Sequence, residues 1–348
     1  WWLVLLTTVM DGSACRFNVR DVGFVDLGSQ PYKLYCFVNA RTAAGDVTLL
    51  KDVSLAAYLD CNVEAEVVAV EALAGHPAKA HFDLLKGKPL PAAVLVDGRD
   101  RGLAIDLQAG NGFQEKIWDT LEAVSESPSR AKLLDHVVKR YGVLLLVEGK
   151  DSERNQAIRK MIEASIAPVT KAIAEKSLEK VIKEPPILIV LKPDDRERER
   201  VLLWSLGIAD ADETEAHVAV LYGRARQIGK VLSGEKITTA AISAILNTIG
   251  LSCECGLDRS WMQGHMIPAK WADTTQALAA RSLGFDPESP AIKMEMSQIL
   301  SKSGQSRRAN TFNKGDALLG AYSEISTGID VAATEPSDQS AQSKQTDV

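Results

Sequence analysis

Two stretches of this chain read almost alike: Ala93-Val94-Leu95-Val96-Asp97-Gly98-Arg99-Asp100-Arg101 and Ala219-Val220-Leu221-Tyr222-Gly223-Arg224-Ala225-Arg226, with Gly98 and Gly223 standing 125 positions apart. An apolar run closed by glycine and basic residues marks a strand entering a tight turn, and its recurrence implies a duplicated unit. A length of 348 residues suits about two domains of roughly 100–200 residues each. With 46% apolar and 25% charged residues, both units can bury a core. The net charge of −6 and pI near 5.5 lack the clustered basic field that nucleic-acid binding needs, which points to proteins or small molecules as partners. No catalytic signature accompanies either copy.

Around each copy the same order of elements can be read. In the first half, 32–38 (YKLYCFV) is a strand, 47–59 a helix with apolar residues at helical spacing, 63–70 a second strand and 76–85 a short helix. Pro91 opens the strand 92–96, the Asp97-Gly98 turn permits a return strand over 103–107, and 113–124 closes with a helix. In the second half, 141–147 (YGVLLLV) is a continuous apolar strand of the buried kind. Ser152 then starts a long amphipathic helix with Ile158, Met161, Ile162, Ile166 and Val169 on one face, which Pro168 is expected to kink or break. Pro185-Pro186 announces the strand 187–191, and Asp194 or Asp195 can cap a helix running through Trp204. The hairpin 218–222 and 227–232 and a helix over 238–249 complete the half. The expected class is α/β, with two tandem βαβαββα units whose parallel strands are joined by right-handed crossovers.

That order, with Pro91 introducing the hairpin, resembles the thioredoxin-like fold over roughly 30–125 and 138–250. The family carries a Cys-x-x-Cys pair at the start of its first helix, where the helix dipole lowers the thiol pKa. Here those places hold Asn39-Ala40-Arg41-Thr42 and Gly149-Lys150-Asp151-Ser152, and aligning the hairpins puts His217 at the proline position of the second half. The resemblance implies a scaffold without dithiol chemistry, whose groove beside Pro91 would take a protein or peptide in extended form.

Other candidate sites are open to more than one reading. Arg99, Arg101, Arg224 and Arg226 at the hairpin turns present the paired donors of an anion or carboxylate clamp, or else a solvated turn. Cys253 and Cys255, with His265 and Met266 nearby, offer soft donors for copper, or for zinc if His265 completes the set. The same thiols could form a redox pair or be purely structural, and no other cofactor is indicated. His76 and His81 lie five apart, which does not suit a helical metal pair, so both are expected at the surface. The stretch 149–152 has the end of a phosphate loop but Leu144 where its first glycine belongs, and 194–200 (DDRERER) reads as a solvated helical face with intrahelical ion pairs.

The ends differ in character. Residues 1–10 are apolar, shorter than the about 20 residues a membrane span requires, and resemble the core of an export signal. Gly12-Ser13-Ala14-Cys15 is similar to a bacterial lipobox with Gly12 where leucine is usual, so Cys15 is a candidate lipidation site, against simple signal cleavage or a buried segment. Lipidation would make this an exported, periplasmic or membrane-anchored protein with partners in the cell envelope. The remaining cysteines, Cys36, Cys61, Cys253 and Cys255, are compatible with disulfides there. The expected organisation is a signal-like segment over 1–15, thioredoxin-like units over 16–130 and 131–250, a Cys-x-Cys segment with helices near 273–283 and 289–300, and a polar disordered tail over 334–348.

Overall fold

The run Tyr32–Val38 (β1) is apolar on both faces and takes an inner position in a four-stranded sheet. The computed structural model describes residues 17–107, 112–175, 184–208, 214–251 and 262–306. The first sheet has the order β2-β1-β3-β4, with Val63–Ala69 (β2) parallel to β1 and Ala92–Val96 (β3) antiparallel to it. Gly102–Ile105 (β4) returns antiparallel beside β3. Two helices, Ala44–Ala57 (α2) and Phe113–Ser125 (α4), cover one face through Leu50, Val53, Ile117 and Leu121 against Leu34, Cys36, Ala93 and Leu95. The other face buries Tyr35, Phe37, Val68 and Val94 beneath the segment that contains Lys79–Phe82 (α3). His81, expected at the surface, is buried in that layer, with Nε2 3.1 Å from Asp100 Oδ1 and its ring stacked on Tyr35.

The second half repeats the arrangement after Pro128–Lys139 (α5), a helix the periodicity did not announce. Val143–Val147 (β5) lies parallel to Ile187–Leu191 (β6) and antiparallel to His217–Tyr222 (β7). Arg226–Gln227 (β8) and Leu232–Ser233 (β9) both pair with β7. Ser152–Ala174 (α6) and Thr239–Ile249 (α8) pack together, and Arg200–Ser205 (α7) follows β6. The chain is therefore α/β with two tandem thioredoxin-like units, followed by Asp273–Leu283 (α9) and Pro290–Ser306 (α10).

Two further readings need correction. Of the two outcomes expected at Pro168, the break does not occur: α6 runs 23 residues with the proline inside it. Proline removes only one backbone donor, while buried Val169 and the Ser165 hydroxyl, shared between Met161 O at 2.8 Å in the preceding turn and Thr239 O at 3.2 Å on its neighbour, hold the helix on both sides of the lesion. The stretch 194–200 is a solvated face only in part: Asp194, Glu197 and Arg198 are exposed and Arg198 pairs with Asp195 at 2.6 Å, but Arg196 and Glu199 are buried. Glu199 is fully buried and accepts from Ser129 N at 3.0 Å and from Ser127 Oγ at the start of α5, and Arg196 donates to Glu148 O at 3.2 Å and Glu215 O at 3.1 Å.

The two halves are stitched by pieces outside both repeats. Val19–Phe24 (α1), begun by an Asn18/Asp21 capping box, is buried along its whole length. Although it precedes the first sheet, it belongs to the second: Val19 N donates to Leu251 O at 2.9 Å, Arg224 N to Gly23 O at 3.0 Å, and Phe24 joins the core of Leu145, Leu221 and Trp271. Arg20 donates to Arg140 O at 2.8 Å and Val138 O at 2.9 Å, and burial lowers its pKa to about 10. Gly223, at φ +56°, backs onto Gly23 so closely that a Cβ would lie 2.4 Å from the Gly23 carbonyl carbon.

An extended strap over 263–271 completes the junction. Gln227 N donates to His265 O at 2.8 Å and Ile267 N to Ala225 O at 3.2 Å on the second half. Farther along, Trp271 N donates to Asp60 O at 2.7 Å, and the Asn62 amide donates to Ile267 O at 2.9 Å and accepts from Ala269 N at 2.8 Å on the first half. At Gly264 a Cβ would fall 1.8 Å from Gln227 O, so any side chain there must lift the strap. Gly264→Ala should cost about 1–3 kcal/mol, measured by urea denaturation, with faster amide exchange at 227 and 267 than in the parent.

Candidate functional site

Two places gather the chemistry. The first is the turn 39–42 into α2, beside Pro91. Asn39 and Thr42 close it internally, with Asn39 N donating to Thr42 Oγ1 at 3.1 Å and Arg41 N to Asn39 Oδ1 at 2.9 Å. Ala40 N donates to Glu71 Oε1 at 2.8 Å, which holds that carboxyl below its usual range. Phe37 pairs with Ala92, which brings the end of β1 level with Pro91; the Leu90–Pro91 bond is cis. Pro91 itself is buried, Leu90 is half-buried, and Ala40 and Arg41 are exposed. The turn thus offers backbone groups, a guanidinium and a carboxylate, and no thiol.

The matching turn of the second half is closed upon itself. The Asn155 amide pairs with Gly149 N and O at 3.1 and 2.9 Å, and Asp151 caps α6 by accepting from Glu153 N and Arg154 N at 3.0 Å. A cleft of about 400 Å³ beside it is lined by Glu148, Ser152, Asn155, Gln156 and Arg159, with Glu148 and Arg159 ion-paired at 2.7 Å. The expected alignment of His217 shifts by one residue. Counting back from the two turn glycines puts His217 level with Ala92, opposite Val147, and Ala216 level with Pro91.

The second place is the seam, where the structure brings together Arg99, Arg101, Arg226 and His265, residues far apart in sequence. Asp97, its side chain fully covered, accepts from Arg99 Nε at 3.2 Å and Arg101 Nε at 2.8 Å. Burial works against the Asp97 charge, yet the backbone and side-chain donors of Arg101 hold its carboxyl below the usual range. Both arginines donate 3.3 Å to Ser205 O at the C-terminal end of α7, and Arg101 lies over Trp204. Arg224 pairs with Glu288 over the Trp271 ring.

Arg226 is neither in a solvated turn nor presented to an outside anion. It is 1% exposed and donates to Gly23 O at 3.0 Å, Gly264 O at 2.9 Å, Ser29 Oγ at 3.1 Å and Val25 O at 3.4 Å. The copies explain the difference: Asp97 of the first corresponds to Tyr222 of the second. The second pair of arginines therefore lacks a carboxylate in its own turn and finds acceptors in α1, the strap and Glu288. That substitution at the aspartate position was the available sequence signal for a buried seam; nothing in the pattern marked Tyr32, Ser205 or the strap.

The Tyr32 hydroxyl lies within hydrogen-bond distance of both His265 Nε2, at 2.5 Å, and Met266 O, at 2.8 Å. Burial first, then Arg99, with Arg101 and Arg226 adding to it and Asp97 opposing, lowers the His265 pKa to about 4. Met266 is buried beside it. Of the other proposed soft-metal donors, Cys253 and Cys255 lie outside the described residues, as does Cys15. Among the described residues no group of three or more histidines, cysteines or carboxylates is placed to hold a metal, and no helix is long and apolar enough to cross a membrane. Cys36 and Cys61 are free thiols; burial pushes Cys36 up to about 12 and raises Cys61.

No family model and no curated relative matches this chain. Ten chains of solved structures match, among them the first two thioredoxin domains of Saccharomyces cerevisiae Eps1p. The likeness to that structure has 10% identity and a TM-score of 0.21, covering 63% of this chain and 92% of the other. The thioredoxin-like class rests instead on strand order, register and the position of Pro91.

Two measurements follow from these environments. An unfolded histidine protonates near pH 6.5, whereas folded His265 stays neutral to about 4. The unfolded state therefore binds the extra proton between those values, and stability, full above pH 6.5, declines as pH falls toward 4, by about 2–3 kcal/mol from this residue. Thermal midpoints should fall across that window, and His265→Gln should flatten the fall. Iodoacetamide at pH 8 should label Cys61 slowly and Cys36 only on unfolding, read by peptide mass mapping.

Proposed function

We propose that this protein is a binding or scaffolding module of the cell envelope, built on thioredoxin-like units that do no redox chemistry at the family's site. The observation that carries the reading is the turn 39–42: Asn-Ala-Arg-Thr stands beside Pro91 where the fold otherwise presents a thiol pair, and the Asn39 and Thr42 side chains are engaged within the turn. The nearest thiol in β1, Cys36, is sealed in the core. What remains at this place is a shape with exposed Ala40 and Arg41, half-buried Leu90 and the backbone around Pro91, suited to an extended peptide. Acylation at Cys15 would tether the module, although a single acyl chain anchors only marginally and full lipoprotein acylation or further contacts would be needed.

The test is retention of the full chain on an array of unstructured decapeptides, parent against Ala40→Trp, a substitution that fills the mouth of the groove from an exposed position. Peptides held by the parent should lose at least tenfold in signal on the variant, with the thermal midpoint unchanged; equal retention overturns the reading. Native mass spectrometry of the same preparations separates it from soft-metal handling: copper or zinc carried by the parent and lost from Cys253→Ser/Cys255→Ser would replace this proposal with that one.

A further inference from the structure

We infer that the outer edge of β2 is a docking strip for an extended segment of another protein that alternates apolar and basic residues. Among the described residues β2 pairs only with β1, so its other edge keeps backbone donors and acceptors unpaired, the template for an added strand. On one side of that edge Val63, Ala65 and Val67 join Tyr58, Leu55 and Leu59 of the α2 region in lining a cleft of about 480 Å³, with Lys51, Ser54 and the Glu64 carboxylate at its margin. Leu55 and Leu59 are 74% and 76% exposed, the largest values among the exposed large apolar side chains described. Leu55 in the last turn of α2 and Leu59 in the turn that follows it, both facing water beside an open strand, form a ready apolar floor.

The other side of the strip decides the occupant. Side chains alternate along a strand, and Glu64 and Glu66 occupy the alternate positions, with 59% and 56% of their side chains exposed. Among the described residues Glu64 is ion-paired with Lys33 and Glu66 with His76, but a carboxylate has about four acceptor sites. β2 contains neither lysine nor proline, the usual guards of an edge. A second copy of the chain pairing β2 with β2 would set these carboxylates against one another, which like charges across strands oppose. A segment with Lys or Arg at alternate positions would meet them with opposite charge while its apolar residues enter the cleft. This strip shares no residue with the turn beside Pro91, so it stands or falls separately from the peptide groove proposed there.

The test uses the full chain and a labelled eight-residue peptide of alternating valine and lysine, with valine–glutamate and serine–lysine counterparts as comparisons. Fluorescence anisotropy should show the valine–lysine peptide binding at least tenfold more tightly than either counterpart, and amide exchange should slow over 63–69 when it binds. Leu55→Ser/Leu59→Ser, both exposed positions, should weaken that binding at least tenfold, and Glu64→Lys/Glu66→Lys should reverse the preference between the lysine and glutamate peptides. Equal affinity for the peptides, protection outside 63–69, or binding indifferent to both double variants overturns the inference. So does a concentration-dependent dimer in sedimentation that Leu55→Ser/Leu59→Ser abolishes, which would assign the edge to a second copy.

Discussion

Arg226 is the piece on which the arrangement of the two sheets depends. A guanidinium removed from water keeps its charge only if its donors are met, and an unpaired one would be strongly destabilising. The acceptors that meet Arg226 come from three places that are remote in sequence: α1, the turn after it, and the strap. None of the three belongs to the repeated units. Burying this one side chain therefore requires that α1 be docked and the strap be laid down, and those two in turn connect the second sheet to residues 60–62 of the first. Arg130 plays a similar part nearby, donating to Glu126 O at 2.7 Å and Pro268 O at 3.2 Å.

A junction of this kind bears on function by what it removes. Polar clusters between two domains often form ligand sites because their donors face a cleft. Here Arg99, Arg101, Arg226 and Tyr32 give hydrogen bonds to atoms of the chain itself, with Trp204 and Trp271 stacked under Arg101 and Arg224. Arg226 in particular, a candidate for an anion site in one dimension, serves cohesion in three, while Arg99 keeps half of its side chain in water. Exposed groups on the first unit lie elsewhere, at Ala40 and Arg41 in the turn into α2 and at Leu55, Leu59, Glu64 and Glu66 beside β2.

The parts of this fold that were legible in the sequence are those whose cause is local. The strands 32–38, 187–191 and 218–222 are apolar runs between turn residues, and the two glycine turns repeat, so the hairpins and their order could be read directly. α1 could not, because six residues with a capping box make a helix only when a core is waiting for Val19, Val22 and Phe24. The strap has no periodicity at all; it is extended because backbone groups at 60–62 and 225–227 pair with it. Glu199 and Arg196 looked solvated because their neighbours are charged, whereas burial of each was decided by a hydroxyl and carbonyls supplied from distant elements. At the candidate site the absence of cysteine from 39–42 was plain, while the Glu71 contact to Ala40 depended on the parallel crossing of β2.

The placement of α1 in the second core has a consequence for the order of assembly. Its partners Leu251, Arg224 and Trp271 lie about two hundred residues farther along, so the whole first sheet is enclosed, topologically, inside the second unit. Contacts of such separation close slowly, because the loop entropy must be overcome before they return any stability. Each sheet can collapse on its own local strands and helices, but α1 must remain unsheltered, its valines and Phe24 exposed, until the chain has been made past the strap. Docking of α1 therefore depends on residues of the second unit and of the region after it, a clasp whose two sides are brought together by the fold and not by the chain.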